Sequence, residues 1–205
     1  MASSIDIINL ALSKLGAERI TSLTDGTQEA ITANLFYNPI RKELLSQHNW
    51  SFARKRASLA ALVDAPAYGF KYQYELPSDF LSLISITEYF PPHNYDTIRN
   101  NNNSDYSIEE GRILTDNEAP LKMLYTFDVV DTEKFSPSFA IYLSTSLAMH
   151  MCEQITQSNT KKQILLQEMD KKRREAVNFD RMQQPPQYLD GGSWEDSRIN
   201  NYGSF

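Results

Sequence analysis

The chain contains three histidines and one cysteine, the side chains that most often hold a metal or start nucleophilic chemistry. No two of His48, His93 and His150 have the His-Glu-x-x-His spacing that places two imidazoles on one helix face. His150 and Cys152 are two residues apart on a predicted helix and so point in different directions. A core or interfacial role is therefore the better interpretation of His150. His48 precedes Trp50 at the end of a predicted helix, where a positive charge would suit the helix C-terminus.

The carboxylates are equally unpromising as catalytic groups. Glu109 and Glu110 are adjacent in a predicted turn, whereas an acid–base pair needs two carboxylates that face one substrate. Asp128, Asp131 and Glu133 lie in a polar connection, which favours a solvated loop over a metal site. The sequence has no phosphate-binding loop, dinucleotide fingerprint or serine elbow. It therefore predicts no catalytic, cofactor-binding or metal-binding residue and no enzyme.

Length, composition and charge restrict the class of protein. The 205 residues can bury one good core or two small ones, and 41% hydrophobic and 22% charged residues are ordinary for a soluble globular protein. The net charge of −6 argues against tight binding of duplex DNA. A single cysteine fits synthesis in a reducing cytoplasm. With no signal peptide and no apolar stretch of about 20 residues, we expect no membrane association.

Two helices are predicted near the N-terminus. Ser3 and Ser4 are good N-caps, and apolar residues at helical spacing follow until Gly16, which is well placed as the C-terminal stop. A second helix is predicted from about residue 28 to residue 48, with Pro39 kinking or dividing it. Its predicted apolar stripe includes Ile31, Leu35, Ile40 and Leu44.

Two further helices are predicted near the C-terminus. Ser136 is an N-cap with Pro137 at the first helical position, and this helix is predicted to end at about Thr156. The next is predicted from about Thr160 to Met182 and should pack antiparallel to it across the short turn. Its thin predicted apolar stripe consists of Ile164, Leu165, Met169, Ala176 and Phe179.

A run of four basic residues, Lys171 to Arg174, lies on this last helix. We interpret it as a solvated helix face that includes an ion pair between Glu168 and Lys172, four residues apart. The alternative is a docking surface for an acidic partner or for a DNA backbone.

The middle of the chain changes to a period of two. Residues 70–75 alternate between aromatic and polar side chains, which is the pattern of a half-buried strand. Strands are also predicted at 81–90 and 121–129, and a tight hairpin over 106–114 turns at Glu109, Glu110 and Gly111. The region is predicted as an antiparallel meander of roughly four to six strands.

These elements predict an α+β fold with three parts. Residues 1–62 and 132–182 should form a helical bundle of about four helices, two N-terminal and two C-terminal. Residues 63–131 should form the inserted antiparallel β domain, and residues 183–205 an extended tail that binds a partner.

The tail combines a polar composition with spaced aromatic residues. Too little apolar surface is present for the segment to order itself. Tyr188, Trp194, Tyr202 and Phe205 are nevertheless the kind of side chain that anchors a peptide on a partner. A plain disordered terminus is the alternative interpretation.

Four stretches within about residues 1–182 have an order and spacing that are found in a known family. They are Lys14, Leu15 and Gly16 with Ile20, Ser22, Leu23, Asp25 and Gly26; Leu44 and Asn49 to Phe52 with Arg54, Lys55 and Arg56; Tyr74 to Pro77 with Asp79 to Leu81; and Gly111 to Leu114 with Leu124, Tyr125 and Phe135 to Pro137. In these features the chain resembles the tail tubular protein A family, the head-to-tail adaptors of short-tailed bacteriophages. Their order and spacing together, rather than any single motif, carry the resemblance.

The resemblance implies a helical bundle with an inserted β domain and a structural role in the virion, after synthesis in the host cytoplasm. Such proteins form a ring, usually of twelve copies, between the portal and the tail nozzle (tail tubular protein B). Tail fibres or spikes can attach around it. The genome passes through its channel without sequence-specific binding, so the ring would support genome retention and ejection.

On this interpretation, the four aromatic residues of the tail are candidate portal anchors. The basic residues Arg54, Lys55 and Arg56 are candidates for an intersubunit or portal contact, whereas Trp50 and Phe52 are better interpreted as core residues. Two alternatives have no virion connection: a cytoplasmic interaction or regulatory module, and an enzyme with an unfamiliar site.

Overall fold

The computed structural model describes residues 3–86 and 106–183. Within these ranges the fold is α+β, with four α-helices and two small antiparallel sheets, as the sequence predicts. The helices are α1 (Ser4–Leu15), α2 (Gln28–Ser46), α3 (Pro137–Thr156) and α4 (Asn159–Met182). The strands are β1 (Arg54–Leu59), β2 (Tyr72–Glu75), β3 (Phe80–Ile86), β4 (Tyr106–Glu109), β5 (Arg112–Thr115) and β6 (Leu121–Phe127).

The predicted caps set the ends of the helices. The Ser3 hydroxyl accepts a hydrogen bond from the Asp6 N–H, and the Asp6 carboxylate accepts one from the Ser3 N–H, which completes a capping box on α1. Gly16 ends the same helix with a left-handed φ of 73° that glycine adopts without strain. At the start of α3 the Ser136 hydroxyl accepts a hydrogen bond from the Phe139 N–H, with Pro137 at the first helical position.

The described residues belong to two compact units. In the first unit, α1, α2 and α4 all pack on α3, which is therefore the central helix of the bundle. The second unit holds the sheet formed by β2, β4 and β5. The first unit comprises residues 3–56, 77–84 and 124–183, and the second comprises residues 57–76, 85–86 and 106–123.

The buried face of α2 differs from the predicted stripe. Ile40 and Leu44 are buried as expected, but Ile31 is 57% and Leu35 61% exposed. The helix turns a different face to the core, formed by Ala30, Ala33, Tyr37, Ile40 and Leu44. Small alanines allow the backbone of a helix to approach its neighbour, so the largest apolar side chains did not identify the packed face. The helix also continues through Pro39 without a break.

The apolar stripe predicted for α4 also needs correction. Leu165 and Ala176 are buried against the bundle, whereas Ile164 and Phe179 are exposed. Only a thin line of small or medium apolar side chains therefore holds this 24-residue helix, and much of its surface faces solvent.

We expect the double substitution Ile31→Gln and Leu35→Gln to leave the free energy of unfolding within about 0.5 kcal/mol of the parent value, because neither side chain is in the core. Leu44→Ala, on the buried face of the same helix, should cost about 2–4 kcal/mol. Urea denaturation followed by circular dichroism measures both. A large loss in the double variant would show that the outer face is packed after all.

The hairpin of the second unit matches its prediction. In the sheet order β2-β5-β4, both neighbours pair antiparallel with β5, and Ile113 lies opposite Tyr74 on one side and Ile108 on the other. The two-residue turn consists of Glu110 and Gly111, with φ values of 48° and 74°. Two positive φ angles are typical of the tight turn that matches the twist of a hairpin.

The other sheet has the strand order β1-β6-β3. β3 and β6 correspond to the strands predicted at 81–90 and 121–129, and residues 87–90 lie outside the described residues. β1 was not predicted, because its first three residues are basic and it has no regular apolar alternation.

Candidate interaction site

An aromatic cluster surrounds Trp50, just after α2. The Trp50 ring is 1% exposed, and its Nε1 donates to the carbonyl of Leu44 at 2.9 Å. Its centroid lies 4.9 Å from that of Phe139 on α3 and 5.9 Å from that of Phe52. Phe52 is partly buried against the same core. Both residues are therefore core residues, as predicted, and they fix the chain where α2 leads into β1.

A buried carboxylate joins this region to the end of α4. Asp180 is 1% exposed, and its Oδ1 accepts from the backbone N–H of Ser51 at 2.8 Å and from the Ser51 hydroxyl at 2.6 Å. Its Oδ2 lies 3.1 Å from His48 Nε2. We call His48, Ser51 and Asp180 the Asp180 network. His48 thus pairs with a carboxylate, in addition to lying at the end of α2 as predicted.

Serine, histidine and aspartate together invite comparison with a catalytic triad. In a triad the histidine accepts the serine proton, and the aspartate orients the histidine. Here the hydroxyl of Ser51 donates to Asp180, so the serine and the imidazole share one carboxylate. This arrangement holds two segments of chain together and does not activate the hydroxyl as a nucleophile.

The electrostatics of Asp180 agree with a holding role. Burial alone would raise the pKa of its carboxyl, but hydrogen bonds from His48, the Ser51 hydroxyl and the Ser51 N–H lower the pKa below its ordinary value. The ionised carboxylate is therefore the form that the fold prefers. Sequence reasoning missed this residue, because its partners are about 130 positions away.

The basic candidates Arg54, Lys55 and Arg56 begin β1 and have different surroundings. Arg54 is partly buried, and its guanidinium donates from Nε and Nη2 to the carbonyl of Asn49, at 3.2 Å and 2.9 Å. Lys55 and Arg56 are exposed. Arg54 therefore stabilises the turn after α2, while the other two residues present charge at the surface.

Lys55 belongs to a small polar cluster that the sequence did not suggest. Its Nζ lies 2.7 Å from Asp79 Oδ2, and Asp79 Oδ1 accepts from the Tyr125 hydroxyl at 2.9 Å. The hydrogen bond with Asp79 raises the pKa of Lys55, and the same bond lowers the pKa of Asp79. The Lys55 ammonium also lies 5.6 Å from the centre of the Phe127 ring. The cluster orients one of the predicted contact residues.

In the acidic connection after β6, Asp128 pairs with two basic side chains of α2. The guanidinium of Arg41 is almost fully buried, lies 2.7 Å from Asp128 and also donates to the carbonyl of Val129. Lys42 lies 3.4 Å from the same carboxylate. Asp131 caps the short 3-10 helix Thr132–Lys134. In residues 3–86 and 106–183, no three His, Cys, Asp or Glu side chains group closely enough to hold a metal ion.

The ion pair predicted between Glu168 and Lys172 does not form. Glu168 pairs with Lys14 of α1, and Lys172 pairs with Glu175 at 2.7 Å. The cross-helix partner is available because Lys14 and Glu168 lie where α1 and α4 approach each other. The basic run of α4 is nevertheless largely exposed.

His150 is exposed, so it is not a core histidine. Its ring stacks on Phe36 of α2, with the centroids 6.3 Å apart. Cys152 on the same helix is fully buried and faces away from it, as the two-residue spacing predicts.

The candidate portal anchors Tyr188, Trp194, Tyr202 and Phe205 lie outside the described residues, which end at Gln183. None of the helices α1 to α4 is both long enough and apolar enough to cross a bilayer.

The chain was compared with known proteins. No protein-family model matches it, and no curated protein matches it either.

Proposed function

We propose that the chain is a structural protein of a tailed-phage virion, whose copies form the adaptor ring that joins the portal to the tail nozzle. The support is the order of the four stretches, together with a fold in which strands are inserted between an N-terminal and a C-terminal pair of helices. In this role the ring lines the DNA channel and supports genome retention and ejection, and no catalysis is required.

The observation that carries the proposal is the Asp180 network. It fixes the last turn of α4 to the segment after α2, three residues before the described part of the chain ends. The aromatic segment that follows in the sequence therefore starts from a fixed point. Binding through a segment with a fixed base costs less conformational entropy than binding through a free chain.

The remaining contacts follow from this arrangement. Tyr188, Trp194, Tyr202 and Phe205 would anchor the chain in clefts of the portal, since aromatic side chains dominate the energetics of interfaces. Lys55 and Arg56 would contribute charge to an intersubunit or portal contact, with Arg54 shaping the turn beside them. Because the tail contact would gather copies of the chain on one portal, their weak contacts with one another would close the ring there.

We expect the chain shortened to residues 1–183 to remain folded but to lose binding to the portal protein of the same phage by at least about 100-fold, which corresponds to two or more anchor residues. Sedimentation of the portal with the shortened chain measures this loss, and electron microscopy of the full chain with the portal should show one ring stacked on another.

The control replaces polar residues of the same segment, Ser193, Asn200 and Asn201, by alanine and should keep binding within a few fold. Normal portal binding by the shortened chain would show that the tail is not the anchor. A full chain that ignores the portal altogether would instead favour an interaction or regulatory module unrelated to virions.

A further inference from the structure

We infer that the tip of the β4–β5 hairpin of one copy docks on the outer face of α4 of a second copy. The inference rests on the proposed ring, in which every subunit meets its neighbour, and it names the two surfaces that meet.

The first surface is the outer face of α4. Gln167, Lys171, Arg174 and Asn178 follow one another at spacings of four, three and four residues, so they form one stripe along the helix. All four are exposed, and they line one shallow depression together with Asp170 and Glu175. The helix carries seven basic and four acidic residues, in a chain whose net charge is −6.

The two cations of this stripe have no partner in the described part of the chain, unlike most others on α4. Lys161 donates to the carbonyl of Leu15 at 2.5 Å, and Lys162 pairs with Glu153 at 2.8 Å. Lys171 and Arg174, by contrast, form no hydrogen bond or ion pair with any other residue in 3–86 or 106–183. Both charges are therefore available to an acidic partner.

The second surface is the hairpin tip. Glu109 and Glu110 are exposed at the two-residue turn, and two antiparallel pairings of β5 hold the hairpin in place. The described residues of this unit contain six acidic and three basic side chains. Arg112 lies opposite Glu109 but donates to Gln73 Oε1 at 3.3 Å, so the two glutamates are the charges left for a partner at the tip. They and the cations of the α4 stripe are complementary in charge, which favours their encounter and fixes their register.

Acidic residues beside the α4 stripe favour a protein over a nucleic acid as its binding partner. Asp170 and Glu175 flank Lys171 and Arg174, and they would repel the continuous phosphates of a DNA backbone. The hairpin presents only two adjacent carboxylates, which can meet the cations between those acids. The stripe therefore fits a discrete acidic tip better than a polyanion.

Exposed apolar side chains accompany both surfaces. Ile164 and Met182 are exposed seven residues before and eleven residues after Lys171, so they lie on the same side of α4. Val63 and Tyr68 are almost fully exposed in the loop that precedes β2, in the unit that carries the hairpin. Exposed ion pairs contribute little by themselves, so a lasting contact needs such apolar area beside them.

Since the two surfaces differ, the contact is heterologous. Each copy offers its hairpin to one neighbour and its α4 to the other, and repetition of such a contact closes into a ring when the rotation allows it.

The first test is carbodiimide cross-linking of an equal mixture of ¹⁴N- and ¹⁵N-labelled full-length chains at high protein concentration. The reagent condenses a carboxylate with a lysine amine when the two are in contact. We expect cross-links between Lys171 and Glu109 or Glu110 in which the two peptides carry different labels. Cross-links confined to peptides with the same label, or the absence of this cross-link, would overturn the inference.

The second test is a charge swap, followed by sedimentation velocity in low salt. Glu109→Lys with Glu110→Lys should weaken self-association at least tenfold, and so should Lys171→Glu with Arg174→Glu. A mixture of these two variants should recover it, because each then finds opposite charges on the other. Failure of the mixture to recover association would contradict the pairing.

A matched control reverses the exposed charges of Glu18 and Arg19, which lie on neither surface, and should change association less than twofold. Circular dichroism checks that every variant is folded. Portal binding by the isolated chain is measured separately. A charge swap that leaves self-association unchanged would therefore overturn the inferred contact without affecting the adaptor role. A chain that self-associates through this contact but does not bind the portal would support the contact and rule out the adaptor role.

Discussion

Replacing Trp50 by alanine should lower the free energy of unfolding by about 3–5 kcal/mol, the largest effect that we expect of a single substitution in this chain. The ring is fully buried and contacts Phe139 and Phe52, so its removal leaves a cavity that these neighbours cannot close. The indole N–H also donates a hydrogen bond to the carbonyl of Leu44 near the end of α2, and the substitution would leave that carbonyl without this donor. Urea denaturation measures the change.

The only other tryptophan provides a matched control. Trp194→Ala should leave the free energy of unfolding within about 0.5 kcal/mol, because the proposed function assigns Trp194 to the portal contact and not to the core. It should nevertheless weaken binding to the portal, whereas Trp50→Phe, which keeps an aromatic ring but loses the hydrogen bond to Leu44, should cost about 1–3 kcal/mol of stability and leave portal binding unchanged. Equal losses of stability in the two alanine variants would contradict the assignment of Trp50 to the core and Trp194 to the tail contact.

Replacing Asp180 by alanine should cost about 3 kcal/mol, since hydrogen bonds to a charged group are stronger than neutral ones and three donors lose their acceptor. Asp180→Asn should cost less, about 1–2 kcal/mol, because one oxygen remains to accept from Ser51. If the network fixes the base of the tail, both variants should also bind the portal more weakly than their stability alone explains.

Because the pKa of Asp180 is lowered in the folded state, the stabilisation that its carboxylate provides should depend on pH. A carboxyl whose pKa is lower in the folded state than in the unfolded chain stabilises the fold fully above its ordinary pKa, about 3.9. This stabilisation is lost as the pH falls through the folded value. Denaturation between about pH 5 and pH 2 should therefore show a smaller loss of stability in Asp180→Asn than in the parent chain. Identical pH profiles would show that the carboxylate is not held in its charged form.

Local signals in the sequence predicted much of the fold. Serine caps, a stop glycine and a proline at the first helical position mark helix ends through hydrogen bonds made within a few residues. The turn at Glu110 and Gly111 is equally local, because only its own dihedral angles decide it. These features depend on neighbours in the chain, so they could be read without knowledge of the tertiary structure.

The contacts that the sequence did not predict join residues that are distant in the chain. No local pattern connects Asp180 to Ser51, or Glu168 to Lys14, and both carboxylates looked like ordinary members of a charged helix. Arg41 is polar in the sequence but buried in the structure, where Asp128 pairs with it. In the stripe predicted for α2, Ile40 and Leu44 are buried but Ile31 and Leu35 are exposed, because Ala30 and Ala33 complete the packed face.

The central position of α3 has a consequence for synthesis on the ribosome. α1 and α2 contact each other little and pack mainly on a helix that begins more than 90 residues after α2 ends. The N-terminal third of a nascent polypeptide thus emerges long before its packing partner exists, and it must wait with its apolar surface uncovered. A polypeptide truncated before residue 137 would have no bundle to join, so translational errors in this region would yield material for chaperones and proteases and not subunits able to enter a ring.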